Sequence, residues 1–186
     1  LLFKALHPEY NVTPIRWRWK EEKNRAVHFA DIMLLSCPDE QQPKDTDKVM
    51  TVEVKSRATR PNKEESTINK AITGALEDSI SREGKTLSFL LQRYKRDKQF
   101  DMVKKVKRFE DAVAHPYQTQ HNAMAIVDSS YMENYHIAKV EPTLIKQIQD
   151  FNKNNAAYNR SMAVFVIPMD NLKSKYESLY QEIPNS

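Results

Sequence analysis

The chain has 186 residues, of which 40% are hydrophobic and 29% are charged, and its net charge is +4. This length and apolar content fit one folded domain and exclude wholesale disorder. The sequence has two glycines, no run of eighteen apolar residues and no signal peptide, which excludes Gly-rich phosphate loops and a membrane span. The single cysteine, Cys37, excludes an internal disulfide framework and fits a reducing compartment, so we expect a cytoplasmic protein.

The first third of the chain predicts mainly β-strands. Residues 1–6 resemble the end of a helix that stops before a proline. The alternating or apolar segments at 14–19, 26–35 and 49–57 predict three strands. Between the last two, residues 36–48 contain two prolines and many turn-forming residues, which predicts an exposed loop.

The remainder alternates between helices and strands. Asn62 and Glu65 have the spacing of a capping box, and the apolar stripe that follows, which includes Ile80, predicts a helix ending at Gly84. Residues 86–114 predict one long or two shorter helices. Beyond them we expect strands at 123–128 and 162–167 and helices from Pro142 and over 172–180.

This order predicts an α/β fold with a mixed β-sheet flanked by helices. Strands joined by a loop pair antiparallel, whereas strands that alternate with helices join the sheet in parallel. In one register of the expected hairpin, Leu35 is opposite Val49, Met33 is opposite Thr51 and Asp31 is opposite Glu53. The long loop allows other registers, but every register that aligns the buried faces keeps Asp31, Glu53 and Lys55 on one face.

Two carboxylates on the strands need an explanation. Asp31 lies inside an otherwise apolar run, with Phe29 and Ala30 before it and residues 32–35 after it, and Glu53 lies between Val52 and Val54. An uncompensated carboxylate in such a place costs several kcal/mol, on the order of its desolvation penalty. Like charges opposite each other on a sheet also repel, and a cation between them would turn that repulsion into binding.

The same face carries the groups that phosphodiester hydrolysis requires. The carboxylates of Asp31 and Glu53, with the carbonyl of Val54, offer the oxygen ligands that Mg²⁺ prefers. Lys55, two residues from Glu53, can orient the attacking water or neutralise developing negative charge. We therefore expect Asp31, Glu53 and Lys55 to be catalytic, with Mg²⁺ or Mn²⁺ held by Asp31, Glu53 and Val54.

An acid on one strand, a loop and E-x-K on the next strand resemble the PD-(D/E)XK nuclease superfamily. The resemblance covers about residues 1–128 and implies a restriction-endonuclease-like core. "ADIML", "VEVKS", "AITGALEDSIS", "AMAIVD" and "VFVIP" together resemble the HamA nuclease subunit of Hachiman-type anti-phage defence, over nearly the whole chain. That resemblance implies a helicase partner. The length predicts a single nuclease-like domain over residues 1–186. Because "LLFKAL" at the start resembles the middle of a helix, we expect this domain to be the C-terminal part of a longer protein. In the superfamily the first helix often supplies a further acid, which would then lie upstream of Leu1.

Basic residues near the expected site and on the central helices are candidate contacts to DNA. Arg57, Arg60 and Lys63 directly follow the E-x-K strand. A second group lies on the segment predicted to be helical: Lys95, Arg96, Lys98, Lys104, Lys105, Lys107 and Arg108. Such a group either tracks a phosphate backbone or is a solvated helix face.

Two alternatives to a nuclease stay open. The domain could be a non-catalytic module that holds nucleic acid or a helicase, or Asp31, Glu53 and Lys55 could form a structural ion cluster. The five histidines lack metal-binding spacing, and Cys37 has no CxxC partner. For the helical acids Glu77 and Asp78 surface positions are favoured, with the alternative that one of them leans toward the sheet. A serine or cysteine hydrolase is disfavoured, because G-x-S-x-G is missing and Cys37 has no organised partner.

Overall fold

The structure is a computed structural model of the chain. It describes residues 11–14, 19–20, 26–27, 30–39, 41–56, 64–110, 116–127 and 140–168. The helices predicted at 1–6 and 172–180 lie outside these ranges. Within them, no helix is both long and apolar enough to cross a membrane.

Five strands form one mixed sheet, which confirms the predicted α/β class with a mixed sheet and packed helices. They are β1 (Asn11–Pro14), β4 (Ile32–Ser36), β5 (Lys48–Ser56), β6 (Gln118–Val127) and β7 (Arg160–Pro168), in the order β1-β4-β5-β6-β7. β1, β4 and β5 pair antiparallel, whereas β6 and β7 join in parallel. β2 (Trp19–Lys20) and β3 (Ala26–Val27) form a separate two-stranded sheet.

The predicted register between β4 and β5 is confirmed where the two strands pair. Leu35 is opposite Val49 and Met33 is opposite Thr51. The prediction of one continuous strand over 26–35 was wrong, because β3 pairs with β2 and β4 starts only at Ile32. Of the strand predicted at 14–19, Pro14 belongs to β1 and Trp19 to β2, and residues 15–18 lie outside the described residues.

The helices are α1 (Glu64–Glu77), α2 (Glu83–Arg96), α3 (Phe100–Lys107) and α4 (Pro142–Asn155), the last followed by a 3₁₀ turn at Ala156–Tyr158. Of the two alternatives for residues 86–114, the structure has two helices, separated near Lys98, whose φ is +55°. Gly84 does not end a helix as predicted; it is the second residue of α2, and its φ is not positive.

A π-helical turn, Asp78–Arg82, joins α1 to α2 without a break. Buried positions along α1 and into the π turn recur three or four residues apart, as at Ala71, Ala75 and Asp78, and the next residue described as buried is Glu83. This step of five residues matches the i→i+5 geometry of a π turn. The predicted inward position of Ile80 was therefore wrong, and its side chain is 83% exposed.

The described helices pack on one face of the sheet. Met33, Leu35 and Val49 contact α2 and α3, and the small residues Ala123 and Ala125 of β6 contact α1 and α4. Residues of β4 to β7 with the opposite parity form a separate cluster, which includes Leu34 and Val52. The helix-covered face is the one that Glu53 and Lys55 share, because alternate residues of a strand point to the same side.

Candidate active site

Asp31 lies at a bend directly before β4, at the edge where pairing with β5 stops. Its Oδ2 accepts a hydrogen bond of 2.9 Å from the backbone N–H of Val54. The side chain therefore takes the place of a strand residue that would otherwise satisfy this N–H. Because the side chain is 41% exposed, the carboxylate is also accessible to solvent.

Glu53 is the buried member of the pair. Its side chain is only 6% exposed, and the residue lies on β5 directly opposite Ala123 of β6. The register places it on the same face as Asp31, one step beyond the last paired residues, Ile32 and Val52. The structure thus brings the two predicted carboxylates to one place on the sheet.

Lys55 supplies the positive charge between them. Its Nζ donates a hydrogen bond to Oε1 of Glu53 and lies 3.9 Å from Oδ2 of Asp31. A buried carboxylate needs such a partner, because desolvation without one costs far more than a typical hydrogen bond contributes. All three predicted catalytic residues are therefore in mutual reach, and their charges form a cluster with one net negative charge.

The donor set suits a hard divalent cation. In a strand, the N–H and C=O of one residue point to the same side, so the Val54 carbonyl faces the Asp31 edge together with its N–H. Two carboxylates and this carbonyl are oxygen ligands of the kind that Mg²⁺ and Mn²⁺ take. Among the described residues, no three His, Cys, Asp or Glu side chains converge as a metal site. An ion at this position would therefore need the Val54 carbonyl as a ligand in addition to the carboxylates of Asp31 and Glu53.

A second polar cluster, buried beside this site, escaped the sequence interpretation. His121 of β6 is fully buried opposite Thr51, and its Nδ1 lies 2.9 Å from the Thr51 hydroxyl. Nη2 of Arg160, the first residue of β7, shares its two hydrogens among three acceptors: Nε2 of His121 at 3.2 Å, Oε2 of Glu83 at 3.1 Å and the Ser79 carbonyl at 3.1 Å. These contacts connect the π turn to β6 and β7.

Charges in this buried cluster follow from its geometry. An arginine can only donate, so Nε2 of His121 is the acceptor and Nδ1 carries the proton. Burial, together with Arg160, lowers the pKa of His121 to about 3, so the imidazole is neutral despite Glu83 at 3.5 Å. Burial raises the pKa of Glu83, opposed by Arg160 and by the hydroxyl of Tyr117, which donates to it.

A signal for this cluster was present in the sequence. The polar segment from 118 to 122 directly precedes the strand predicted at 123–128 and belongs to β6. Extending the strand backward by period two places Thr119 and His121 on the helix-covered face. Asp78, for which the sequence favoured a surface position, is also fully buried on that face, whereas Glu77 is exposed as predicted.

The predicted DNA-contacting residues separate into two regions. Arg57, Arg60 and Lys63 lie outside the described residues. The C-terminal end of α3 is fixed to the β4–β5 loop, because Arg108 donates to the carbonyls of Asp39 and Gln42. That loop adjoins Lys48, roughly 17 Å from Glu53 along β5 at the usual rise per residue.

Several members of the second basic group remain candidates for contacts to a phosphate backbone, and others do not. Lys95 and Lys104 are exposed, Lys105 is half-buried, and the Arg96 guanidinium bonds to Asp97 at 2.9 Å. Arg108 is buried and holds the loop, so its inclusion in a solvent-facing group was wrong. A bound backbone that also reached Glu53 would have to extend along the sheet.

The fold and the site define an α/β protein with two carboxylates and a lysine clustered where two strands of a mixed sheet part. The family model of HamA matches residues 1–183, so the chain belongs to the HamA family. None of the curated proteins matches the chain. Membership in this family supports a role in Hachiman-type antiviral defence.

Proposed function

We propose that the protein is a metal-dependent nuclease of the PD-(D/E)XK type that hydrolyses phosphodiester bonds, with DNA as the substrate. The observation that carries the proposal is the convergence of Asp31, Glu53 and Lys55 at one edge of β5. An aspartate that caps the N–H of Val54 also aims its carboxylate at the face of the E-x-K pair. The contacts between these side chains therefore support the catalytic set that was predicted from residue spacing in the sequence.

Each residue has a role that fits its environment. Asp31 and Glu53, with the Val54 carbonyl, would hold Mg²⁺ or Mn²⁺, which would supply water activation and charge stabilisation when bound. Lys55 is half-exposed on a flexible stem, so its ammonium can leave Glu53 to orient water or meet the charge on the phosphoryl group. The partial exposure of Asp31 gives substrate access to the edge.

The setting of this activity would be phage defence together with a helicase. The HamA family supports the defence role. A helicase subunit would present unwound or displaced DNA to the edge at Asp31, and the exposed lysines of α2 and α3 would contact its backbone. Such contacts are electrostatic and would weaken steeply with salt.

The test is a nuclease assay on the intact protein with Mg²⁺ or Mn²⁺, beside Asp31→Asn, Glu53→Gln and Lys55→Met. Asp101→Asn and Lys153→Met, at exposed positions on α3 and α4, are matched controls. We expect cleavage by the native protein and both controls and its loss in the three site variants. A thermal-shift titration with Mn²⁺ gives a readout besides activity, because an ion bound to the native state raises its Tm.

Cleavage by all three site variants at the native rate would contradict the proposal. The observed contacts also favour a second candidate, a non-catalytic module in which Lys55 simply neutralises the two carboxylates. That candidate predicts no Mn²⁺-dependent rise in Tm and DNA binding without cleavage.

A further inference from the structure

The two glycines of the chain both lie in helices, but their surroundings differ. Gly74 is buried in the middle of α1, and Gly84 is exposed in the first turn of α2. Neither has a positive φ, so backbone conformation explains neither of them. Glycine inside a helix is destabilising relative to alanine, because it loses more backbone freedom on folding. A glycine there calls for a packing reason.

For Gly74 the reason is the side chain of Glu53. A Cβ atom built on Gly74 would lie 2.4 Å from Cγ of Glu53 and 2.7 Å from both Cδ and Oε1. Real Cβ atoms essentially never approach other atoms so closely. The Glu53 side chain thus runs through the space that any other residue at position 74 would fill. A Cβ on Gly84, in contrast, meets nothing within 4 Å.

The surrounding residues prevent an easy escape from such a clash. α1 lies close to the sheet because its contacts are with small residues, Ala71 and Ala75 on the helix and Ala123 and Ala125 on β6. The far end of α1 is fixed as well, since Arg160 bonds to the Ser79 carbonyl in the π turn and to Glu83 beyond it. The helix cannot simply lift away from β5.

We infer that Gly74 is a positioning residue: its missing side chain lets α1 press the Glu53 carboxylate into the orientation that meets Lys55 and faces the Asp31 edge. The helix backbone then forms one wall of the site, and Lys55 draws the carboxylate from the other side. The catalytic part of this inference rests on the proposed nuclease function, whereas the packing part does not.

The test is a double-mutant cycle between positions 74 and 53, with Gly84→Ala as the matched control. We expect Gly84→Ala to leave Tm unchanged or to raise it, as alanine does in a helix. Gly74→Ala should lower Tm by several degrees when Glu53 is present. In the Glu53→Ala background, where the atoms it would meet are gone, Gly74→Ala should no longer lower Tm.

Activity gives the second readout. If Gly74 positions Glu53, Gly74→Ala should lower kcat on the order of a hundredfold, because small misplacements of a catalytic group are costly, while KM for DNA stays unchanged. Should Gly74→Ala alone fail to fold, recovery of a folded protein on adding Glu53→Ala supports the inference, and failure of the double variant overturns it.

The outcomes separate the two proposals. Equal effects of Gly74→Ala on Tm with and without Glu53 would overturn the inference even if the native protein cleaves DNA. A strong coupling in Tm without any cleavage by the native protein would support the packing of Gly74 against Glu53 but reject the nuclease function. Gly74 would then have no role in catalysis.

Discussion

The backbone N–H of Val54 donates a hydrogen bond of 2.9 Å to Oδ2 of Asp31, at the point where β4 and β5 cease to pair. One carboxylate oxygen thus completes the strand edge, while the side chain stays 41% exposed. The bond makes the position of Asp31 a consequence of how the sheet ends. Accepting this bond requires an oxygen at position 31, whereas binding a cation requires the negative charge of the carboxylate.

Two substitutions at Asp31 should distinguish these tasks. Asp31→Asn keeps an oxygen that can accept from Val54, so we expect native stability and loss of metal-dependent cleavage. Asp31→Ala removes the acceptor as well, and we expect a further loss of about 0.5–1.5 kcal/mol, the usual net worth of a hydrogen bond. Urea unfolding measures the difference. Equal stability of the two variants would show that the bond to Val54 contributes nothing.

Lys55 and Glu53 should be energetically coupled, because Glu53 is buried and the ammonium contacts it. We expect Lys55→Met to lower the free energy of unfolding by about 1–3 kcal/mol, since it removes the Lys55 ammonium from a buried carboxylate. The loss should be near the low end because Lys55 itself is partly exposed.

The control for this pair is the double variant. In Glu53→Gln the side chain is neutral, so adding Lys55→Met should cost clearly less than it does in the native protein. The coupling energy comes from a double-mutant cycle measured by chemical denaturation. If the cost of Lys55→Met is the same in both backgrounds, the ion pair does not stabilise the fold.

His121 should make stability fall on acidification. Its pKa is about 3 in the folded protein and about 6.5 in an unfolded chain. Between these values the unfolded state binds a proton that the native state does not, so the free energy of unfolding falls as pH falls, by up to about 1.4 kcal/mol per pH unit. Above about pH 6.5 the residue adds no pH dependence.

Glu83 acts in the opposite sense, because its raised pKa favours the native state at low pH and the benefit is lost as pH rises through the folded pKa. We therefore compare His121→Gln with the native protein in urea titrations at pH 4 to 7. The acid-side slope should be shallower in the variant, since the other titrating groups act in both. An identical slope would mean that His121 is protonated in the native state.

Lys95 and Lys104 should contribute to DNA affinity if the group on α2 and α3 tracks a backbone. Replacing both by alanine should weaken binding and flatten the plot of log K against log salt, by about 0.9 per lost phosphate contact on duplex DNA. Fluorescence anisotropy with a DNA duplex measures both effects. Lys146→Ala with Lys153→Ala, exposed on α4, is the matched control and should leave the slope unchanged. An effect of the same size in both pairs would reveal only the loss of net charge.

Much of this protein followed from sequence because its signals are local. The apolar strands, the prolines of the β4–β5 loop and the carboxylate left unexplained at Asp31 are features of neighbouring residues. Alternate residues of a strand lie on the same face. The pairing of Leu35 with Val49 therefore places Asp31 and Glu53 on one face of the sheet. The family resemblance carried by these segments is confirmed by the HamA family model, which matches residues 1–183.

The tertiary structure alone decided the rest, because the deciding contacts join residues far apart in the chain. His121 and Glu83 are polar residues whose burial depends on Arg160, 39 residues from His121 and 77 from Glu83. The π turn adds one residue to the helical repeat, so the buried face of the helix changes position along the sequence. The apolar pattern of the sequence does not predict this shift. In the sequence Gly74 is an ordinary helix position. Its role depends on the Glu53 side chain, which occupies the space that a Cβ at position 74 would need.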